Sequence, residues 1–192
     1  HIFYQADNED LDDSGYEEWW GSAVVTGTQE LAGVAAFYCE GGDPDSSQFM
    51  SYNAFTSGAQ ELWVPRFVRN YWGYQGGLQI QNVSDAAADV YITYTFNGST
   101  YKESLDDLQP NSPWLRYAPD VSVLGGVSGT GTAVITATQD IVVTVNEDNR
   151  VSNDPEPSEN HAGRRITYNA VREGEILGIG GVAGNGQDEL LA

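Results

Sequence analysis

One stretch of this chain occurs twice, and the interval between the copies limits the fold more than any other feature. Gly21 to Glu40 reads GSAVVTGTQELAGVAAFYCE, and Gly131 to Asn149 reads GTAVITATQDIVVTVNEDN. Ala23/Ala133, Val24/Val134, Thr26/Thr136, Thr28/Thr138 and Gln29/Gln139 match without a gap. Ser51-Tyr52-Asn53-Ala54 then returns as Thr167-Tyr168-Asn169-Ala170, beyond a loop that differs in length. A period of about 110 residues is the size of a β-sandwich domain rather than of a solenoid repeat. Each copy reads as a strand, a tight turn and a second strand. The first copy is therefore expected to be the second half of a unit whose opening strands are missing.

The remaining segments read as short strands separated by turn chemistry. In LWVPRFVRNYWGYQGG (Leu62 to Gly77), Pro65 restricts a strand to an edge or a bulge, because proline donates no ladder hydrogen bond. Gly76-Gly77 punctuates before Leu78-Gln79-Ile80-Gln81, which alternates as a half-buried strand. Val90, Ile92, Tyr94 and Phe96 fall on one face of the next strand, and Tyr91, Thr93 and Thr95 on the other. Asn97-Gly98 predicts a type I′ hairpin turn, whose two central positions both need φ > 0. Tyr101 to Leu108 is the return strand, and Gln109-Pro110-Asn111-Ser112-Pro113 breaks the pattern. Phe49 to Phe55 predicts the last strand of the first unit. The fold class is all-β, an antiparallel β-sandwich with one complete unit and the second half of a preceding one. Residues 1–59 form the half-unit, 60–171 the complete unit and 172–192 a Gly-rich tail.

Composition excludes several partners. Acidic residues number 28 against 8 basic ones, a net charge of -20. Nucleic acid and anionic membrane surfaces require clustered Lys and Arg, so neither is expected to bind. No apolar run approaches the ~18 residues of a membrane helix, and no membrane insertion is expected. Cys39 is the single cysteine, which excludes an intrachain disulfide and leaves a strand-end residue or an intermolecular pair. The two histidines, His1 and His161, sit at the chain start and in a polar loop, and neither HExxH nor CxxC occurs. No catalytic residue, cofactor or metal is expected. Asp7, Glu9, Asp10, Asp12 and Asp13, with Asp43/Asp45 and Glu147/Asp148, offer oxygen ligands of a type that suits Ca²⁺. None has the spacing of a known calcium loop, and solvated acidic loops are expected.

At LWVPRFVRNYWGYQGGLQIQNVSDAAADVYITY, GTAVITATQDIVVTVNEDN and ITYNAV, the chain resembles the tandem immunoglobulin-like repeats of secreted and cell-surface proteins of Chloroflexi-type bacteria. Those repeats share a P-x-V-x-R-N-Y opening, an IQVQN strand, a G-S-A-V-V-T hairpin and a V-N-E ending. The resemblance covers Leu62 to Val171 as a full unit and residues 1–59 as the half before it. It implies an extracellular, immunoglobulin-like β-sandwich array, and it transfers no catalytic residue. The tail, VREGEILGIGGVAGNGQDELLA from Val171, resembles a degenerate phosphate-loop segment of ABC-transporter ATPases. Gly181 and Gly186 keep the glycine spacing, but Gln187 stands where the phosphate-binding Lys belongs and Asp188 where the hydroxyl belongs. Nucleotide binding is not expected.

These readings lead to a non-enzymatic structural subunit of an extracellular filament or surface array. Its partner is expected to be itself, through completion of the half-unit by a neighbour's β-strand. The tail, with Ile176, Leu177, Ile179 and Val182, is the candidate donor strand. Trp63, Tyr71, Trp72 and Tyr74 are candidates for a self-assembly or glycan contact, because aromatic rings stack on sugars and bury well at interfaces. The alternative function is a cell-surface adhesin or carbohydrate-binding module that holds polysaccharide on those rings. Asn82-Val83-Ser84 and Asn97-Gly98-Ser99 match the glycosylation pattern at Asn82 and Asn97.

Overall fold

The structure, a computed structural model, describes residues 22–39, 48–149 and 165–175. Its strands are β1 (Val34–Cys39), β2 (Gln48–Asn53), β3 (Ala59–Arg69), β4 (Tyr74–Asn82), β5 (Ala88–Phe96), β6 (Ser99–Leu108), β7 (Pro113–Tyr117), β8 (Gly129–Asn149) and β9 (Arg165–Asn169). Two 3-10 turns, Ala118–Asp120 and Ser122–Leu124, lie between β7 and β8. All pairings between these strands are antiparallel. The chain is an all-β, antiparallel, sandwich-like fold.

β8 is the spine. Its first part lies between β5 and β3, and its second part between β4 and β9. β6 extends the sheet from β5, and β7 extends it from β4. Two layers, β6-β5-β8-β3 and β7-β4-β8-β9, are thus joined through one shared strand into a curled seven-stranded sheet. The change of layer occurs between Thr136 and Ile141. There β3 pairs Glu61 with Thr136 and Ala59 with Ile141, so β8 carries extra residues that its partner does not match. Such a bulge bends a strand and carries it from one layer into the next. The displaced backbone is tied down locally, since Val83 N–H donates to Asp140 O at 3.0 Å and Asp89 N–H to Thr138 Oγ1 at 2.9 Å.

This corrects the expected hairpin. Thr138-Gln139-Asp140 is a bend inside one continuous strand, because the stretches on either side pair with other strands and not with each other. In the first copy, residues 22–33 form no strand at all, and only Val34–Cys39 does.

Other local expectations hold for physical reasons. β4 and β5 alternate buried and half-buried residues along most of their length. The register of β3 shifts between Val64 and Phe67, across Pro65, which is where a residue without an N–H is tolerated. Asn97 and Gly98 take φ 50 and 77, as the turn requires. Gly76 and Gly77, however, lie inside β4 rather than before it. A Cβ on Gly76 would come within 2.8 Å of the Phe67 ring and 2.9 Å of Val68 O, so glycine makes room for β3.

The core fills the space between the layers with Leu78 and Ile80 of β4, Val90, Ile92, Tyr94 and Phe96 of β5, and Ala133, Ile135, Ile141, Val143 and Val145 of β8. Each large member contributes about 1.5–3 kcal/mol by leaving water. The far edges of the two layers are linked by an ion pair. Arg116 of β7 donates from Nε and Nη2 to the two carboxylate oxygens of Glu103 on β6, at 2.9 and 2.6 Å, and Tyr94 O–H donates to the same group at 2.7 Å. The hydrogen bonds to Glu103 raise the Arg116 pKa, and burial raises that of Tyr94.

Candidate functional site

Among the described residues, the first copy of the repeat lacks the flanking strands that the second copy has. β1 and β2 form a separate two-stranded sheet. Its register reproduces β8–β9 residue for residue. Val34 pairs with Asn53 as Thr144 pairs with Asn169, Ala35 with Tyr52 as Val145 with Tyr168, and Ala36 with Ser51 as Asn146 with Thr167. The hydrogen bond beyond each pairing is repeated too: Ala54 N–H donates to Gly33 O at 2.8 Å, and Ala170 N–H to Val143 O at 2.9 Å. From Val34 onward the sequence repeat is therefore a structural repeat, whereas residues 22–33 do not form the strand of their counterparts.

The surroundings of the two hairpins differ. In the complete unit, Ile135 and Ile141 are fully buried beneath β3, β4 and β5. Their counterparts Val25 and Leu31 are 64% and 48% exposed, and Val24 and Val34 are exposed as well. Among the described residues nothing plays the part of β3, β4 or β5 for this half. The hairpin instead leans on the complete unit. Asn169 Nδ2 donates to Asn53 O at 3.0 Å, and Tyr52, its pKa raised by burial, shares a hydrogen bond with Thr144. The linker to β3 is fixed by Arg172, whose Nη2 donates to Ser57 O and Oγ and to Gly58 O at 2.6, 2.8 and 3.1 Å. A β-bridge between Trp63 and Val171 closes the complete unit beside it.

The candidate aromatics do not form one surface. Tyr74 is buried at the start of β4 and cannot serve an exposed contact. Trp63 lies on β3, 46% exposed, with its indole N–H donating to Glu61 at 3.2 Å. Tyr71 and Trp72 sit eight or more residues further on, at the tip of the β3–β4 hairpin, with ring centroids 6.4 Å apart. The tip is a two-residue turn, since Tyr71 and Tyr74 exchange backbone hydrogen bonds and Trp72 and Gly73 take φ 51 and 79. Trp72 is 72% exposed there.

Asn82 is not available for glycosylation in the folded chain. It is fully buried, Nδ2 donates to Ala86 O and Leu108 O at 2.8 and 2.9 Å, and Oδ1 accepts from Ser84 N–H. The N-V-S match is an Asx turn that closes a loop. Asn97 is exposed at its turn. The donor-strand residues Ile176, Leu177, Ile179 and Val182 lie outside the described residues, as do the acidic groups at Asp7 to Asp13 and Asp43/Asp45 and the side chain of Cys39.

Glu147, read from sequence as part of an acidic pair, is a fully buried carboxylate on β8. Arg66 Nε donates to both of its oxygens at 3.1 and 3.2 Å. Tyr168 O–H donates to Arg66 O beside it. Burial raises the Glu147 pKa despite the opposing pull of Arg66. The arrangement ties β8 to β3 through Arg66 and to β9 through Tyr168. No group of residues with a metal-ligand grouping occurs among the described residues.

No known protein family and no curated protein matches the sequence. Among solved structures, the crystal structure of Thermotoga maritima 1070 is similar at 16% identity and a TM-score of 0.46, over 60% of this chain and 96% of that one. The Anabaena sensory rhodopsin transducer is similar at 16% identity and a TM-score of 0.36, over 47% of this chain and 97% of its own. Likenesses this distant carry nothing over about fold or function.

Proposed function

We propose that this chain is a non-enzymatic structural subunit of an extracellular filament or surface array, in which a neighbouring subunit completes the half-unit at residues 22–54. The observation that carries the reading is the repeated hairpin with its core-facing residues uncovered. Val25 and Leu31 are exposed where Ile135 and Ile141 are buried in a core, and an uncovered apolar stretch favours association. The strongly acidic composition suits a soluble surface component, and the resemblance to secreted tandem repeats supports a location outside the cell. Assembly through an open half-unit joins unlike surfaces, and such contacts propagate into filaments wherever the rotation between subunits does not close a ring. The test is electron microscopy of the purified native material together with the mass of its dissociated subunit. Ordered filaments or sheets that dissociate into single subunits support the reading; a covalent tandem array that yields no such subunit, or a monomer that stays single at high concentration, overturns it.

A second reading is a cell-surface adhesin or carbohydrate-binding module, favoured by the exposed Tyr71–Trp72 tip. Sedimentation with insoluble polysaccharide, repeated with Trp72→Ala, separates the two. Saturable binding lost in the variant supports the adhesin.

A further inference from the structure

We propose that the outer face of the β6-β5-β8-β3 layer binds a neutral glycan, with the Trp63 and Tyr91 rings stacking on its sugars. The proposal rests on the carbohydrate-binding reading and deepens it, because it moves the site from the hairpin tip to the sheet. It uses none of the residues of the open half-unit.

The register builds this face. Glu61 pairs with Thr136, Thr136 with Tyr91 and Tyr91 with Ser104, so these four make one row across four strands. Two residues along, Trp63, Val134, Thr93 and Lys102 make the next row. Both rows point away from the core, since Leu62, Ile92 and Ile135, which alternate with them, are buried. Trp63 is 46% exposed and Tyr91 47%. With one strand between them and one row of offset, their backbones stand about 12 Å apart, a span that a short oligosaccharide covers. The Trp63 indole N–H donates to Glu61 at 3.2 Å, which fixes that ring before any ligand arrives.

The chemistry around the rings selects the ligand. An open depression of about 390 Å³ lies against Tyr91 and is lined also by Thr93, Lys102, Ser104 and Thr136. Among the described residues none of these side chains makes a hydrogen bond, so their hydroxyls and ammonium are left for a ligand beside an exposed ring. A sugar uses both parts, its C–H face on the ring and its hydroxyls on the polar groups. Thr136, Val134 and Thr93 separate the two rings, whereas the centre of a protein interface is a joined apolar patch. Glu61 and Lys102 give the two rows no net charge, and the chain's charge of -20 repels an acidic polysaccharide. A neutral glycan fits on both counts.

Affinity electrophoresis of the full chain, in gels cast with xyloglucan, galactomannan, hydroxyethylcellulose or the acidic polymer alginate, tests the proposal. The expected result is retardation by at least one neutral polymer and none by alginate. Trp63→Ala and Tyr91→Ala should each weaken it about tenfold, and Trp63→Phe and Tyr91→Phe, which keep a ring, by no more than about threefold. Lys102→Ala, an exposed change that leaves the fold intact, should weaken it about threefold. Trp72→Ala should leave it unchanged. Retardation by no neutral polymer overturns the proposal together with the carbohydrate-binding reading. Retardation lost in Trp72→Ala and kept in the Trp63, Tyr91 and Lys102 variants overturns the proposal alone and returns the site to the tip. Equal retardation by alginate, or retardation that none of these changes moves, overturns it as well. Sedimentation velocity covers the remaining occupant: self-association that Trp63→Ala and Tyr91→Ala abolish, without glycan retardation, makes this face a contact between copies and overturns the proposal.

Discussion

The hairpins β1–β2 and β8–β9 share a register and differ in what lies over them. In β8–β9, Val145 faces Tyr168 and both are buried in a filled core. In β1–β2, Ala35 faces Tyr52, and the chain leading into β1 forms no strand. The difference teaches that the local sequence specifies strand pairing, whereas extended structure in the preceding segment depends on flanking strands. Residues 132–141 are a strand, with partners on both sides at 133–136 and 141; their counterparts 22–31, with many of the same residues, are not.

The comparison breaks most decisively on paired truncations. Ile141→Ala removes a fully buried side chain and should destabilise the fold by about 2–5 kcal/mol, the cost of lost transfer energy plus a cavity. Leu31→Ala, at the matching place, should change stability by no more than about 0.5 kcal/mol. Denaturant midpoints of the two variants decide. Equal losses would mean that Leu31 is already covered.

The glycines extend the contrast at smaller scale. A Cβ on Gly131 would lie 2.4 Å from Thr95 O and 2.8 Å from the Phe96 ring. Gly131→Ala should therefore cost about 1–3 kcal/mol by overpacking. A Cβ on Gly27 would meet only the Leu31 side chain, at 3.0 Å or more. Gly27→Ala, which installs the residue that the complete unit has at position 137, should be neutral to within about 0.5 kcal/mol by the same denaturation assay.

Glu147 offers a pH test of the filled core. Its pKa is raised in the folded chain because burial outweighs the attraction of Arg66. A raised carboxylate binds its proton more tightly folded than unfolded. Its contribution is therefore fully present below the unfolded value and is lost as pH rises through the folded one. Glu147→Gln cannot titrate, so the stability of the wild type relative to this variant should fall as pH rises through and above the usual carboxylate range. Parallel urea titrations across that range measure it. A rise would mean that Arg66 dominates the site.

Much of this architecture was legible because it is written in short-range chemistry. The alternation of Val90 to Phe96, the Asn97-Gly98 turn and the Pro65 irregularity each depend on a few neighbouring residues. The readings that failed depended on partners far along the chain. Thr138-Gln139-Asp140 has the composition of a turn, and only the unequal pairing of β3 and β4 with β8 makes it a bend in one strand. Asn82 matches a glycosylation motif, yet its amide is committed to Leu108, 26 residues away. Glu147 looks like a solvated acid until Arg66, 81 residues distant, is placed beside it. Of the candidate aromatics, β4 turns Tyr74 inward, while the hairpin tip holds Trp72 out.

That tip carries the smallest expected effect, and it has its own internal reference. Trp72-Gly73 and Asn97-Gly98 share one backbone conformation, with φ 51 and 79 against 50 and 77. The left-handed region costs a side-chain-bearing residue about 1–2 kcal/mol, and asparagine relieves part of it by local hydrogen bonding. Trp72→Asn should then stabilise the fold by about 0.5–1 kcal/mol, the strain relieved outweighing what a largely exposed ring gives up. A thermal melt of the variant beside the wild type measures it. A stabilised variant means that tryptophan is kept at this position against the preference of the turn, which directs attention to what the ring touches outside the fold. A destabilised variant assigns Trp72 to the packing of the hairpin with Tyr71, and removes the main support for the adhesin reading.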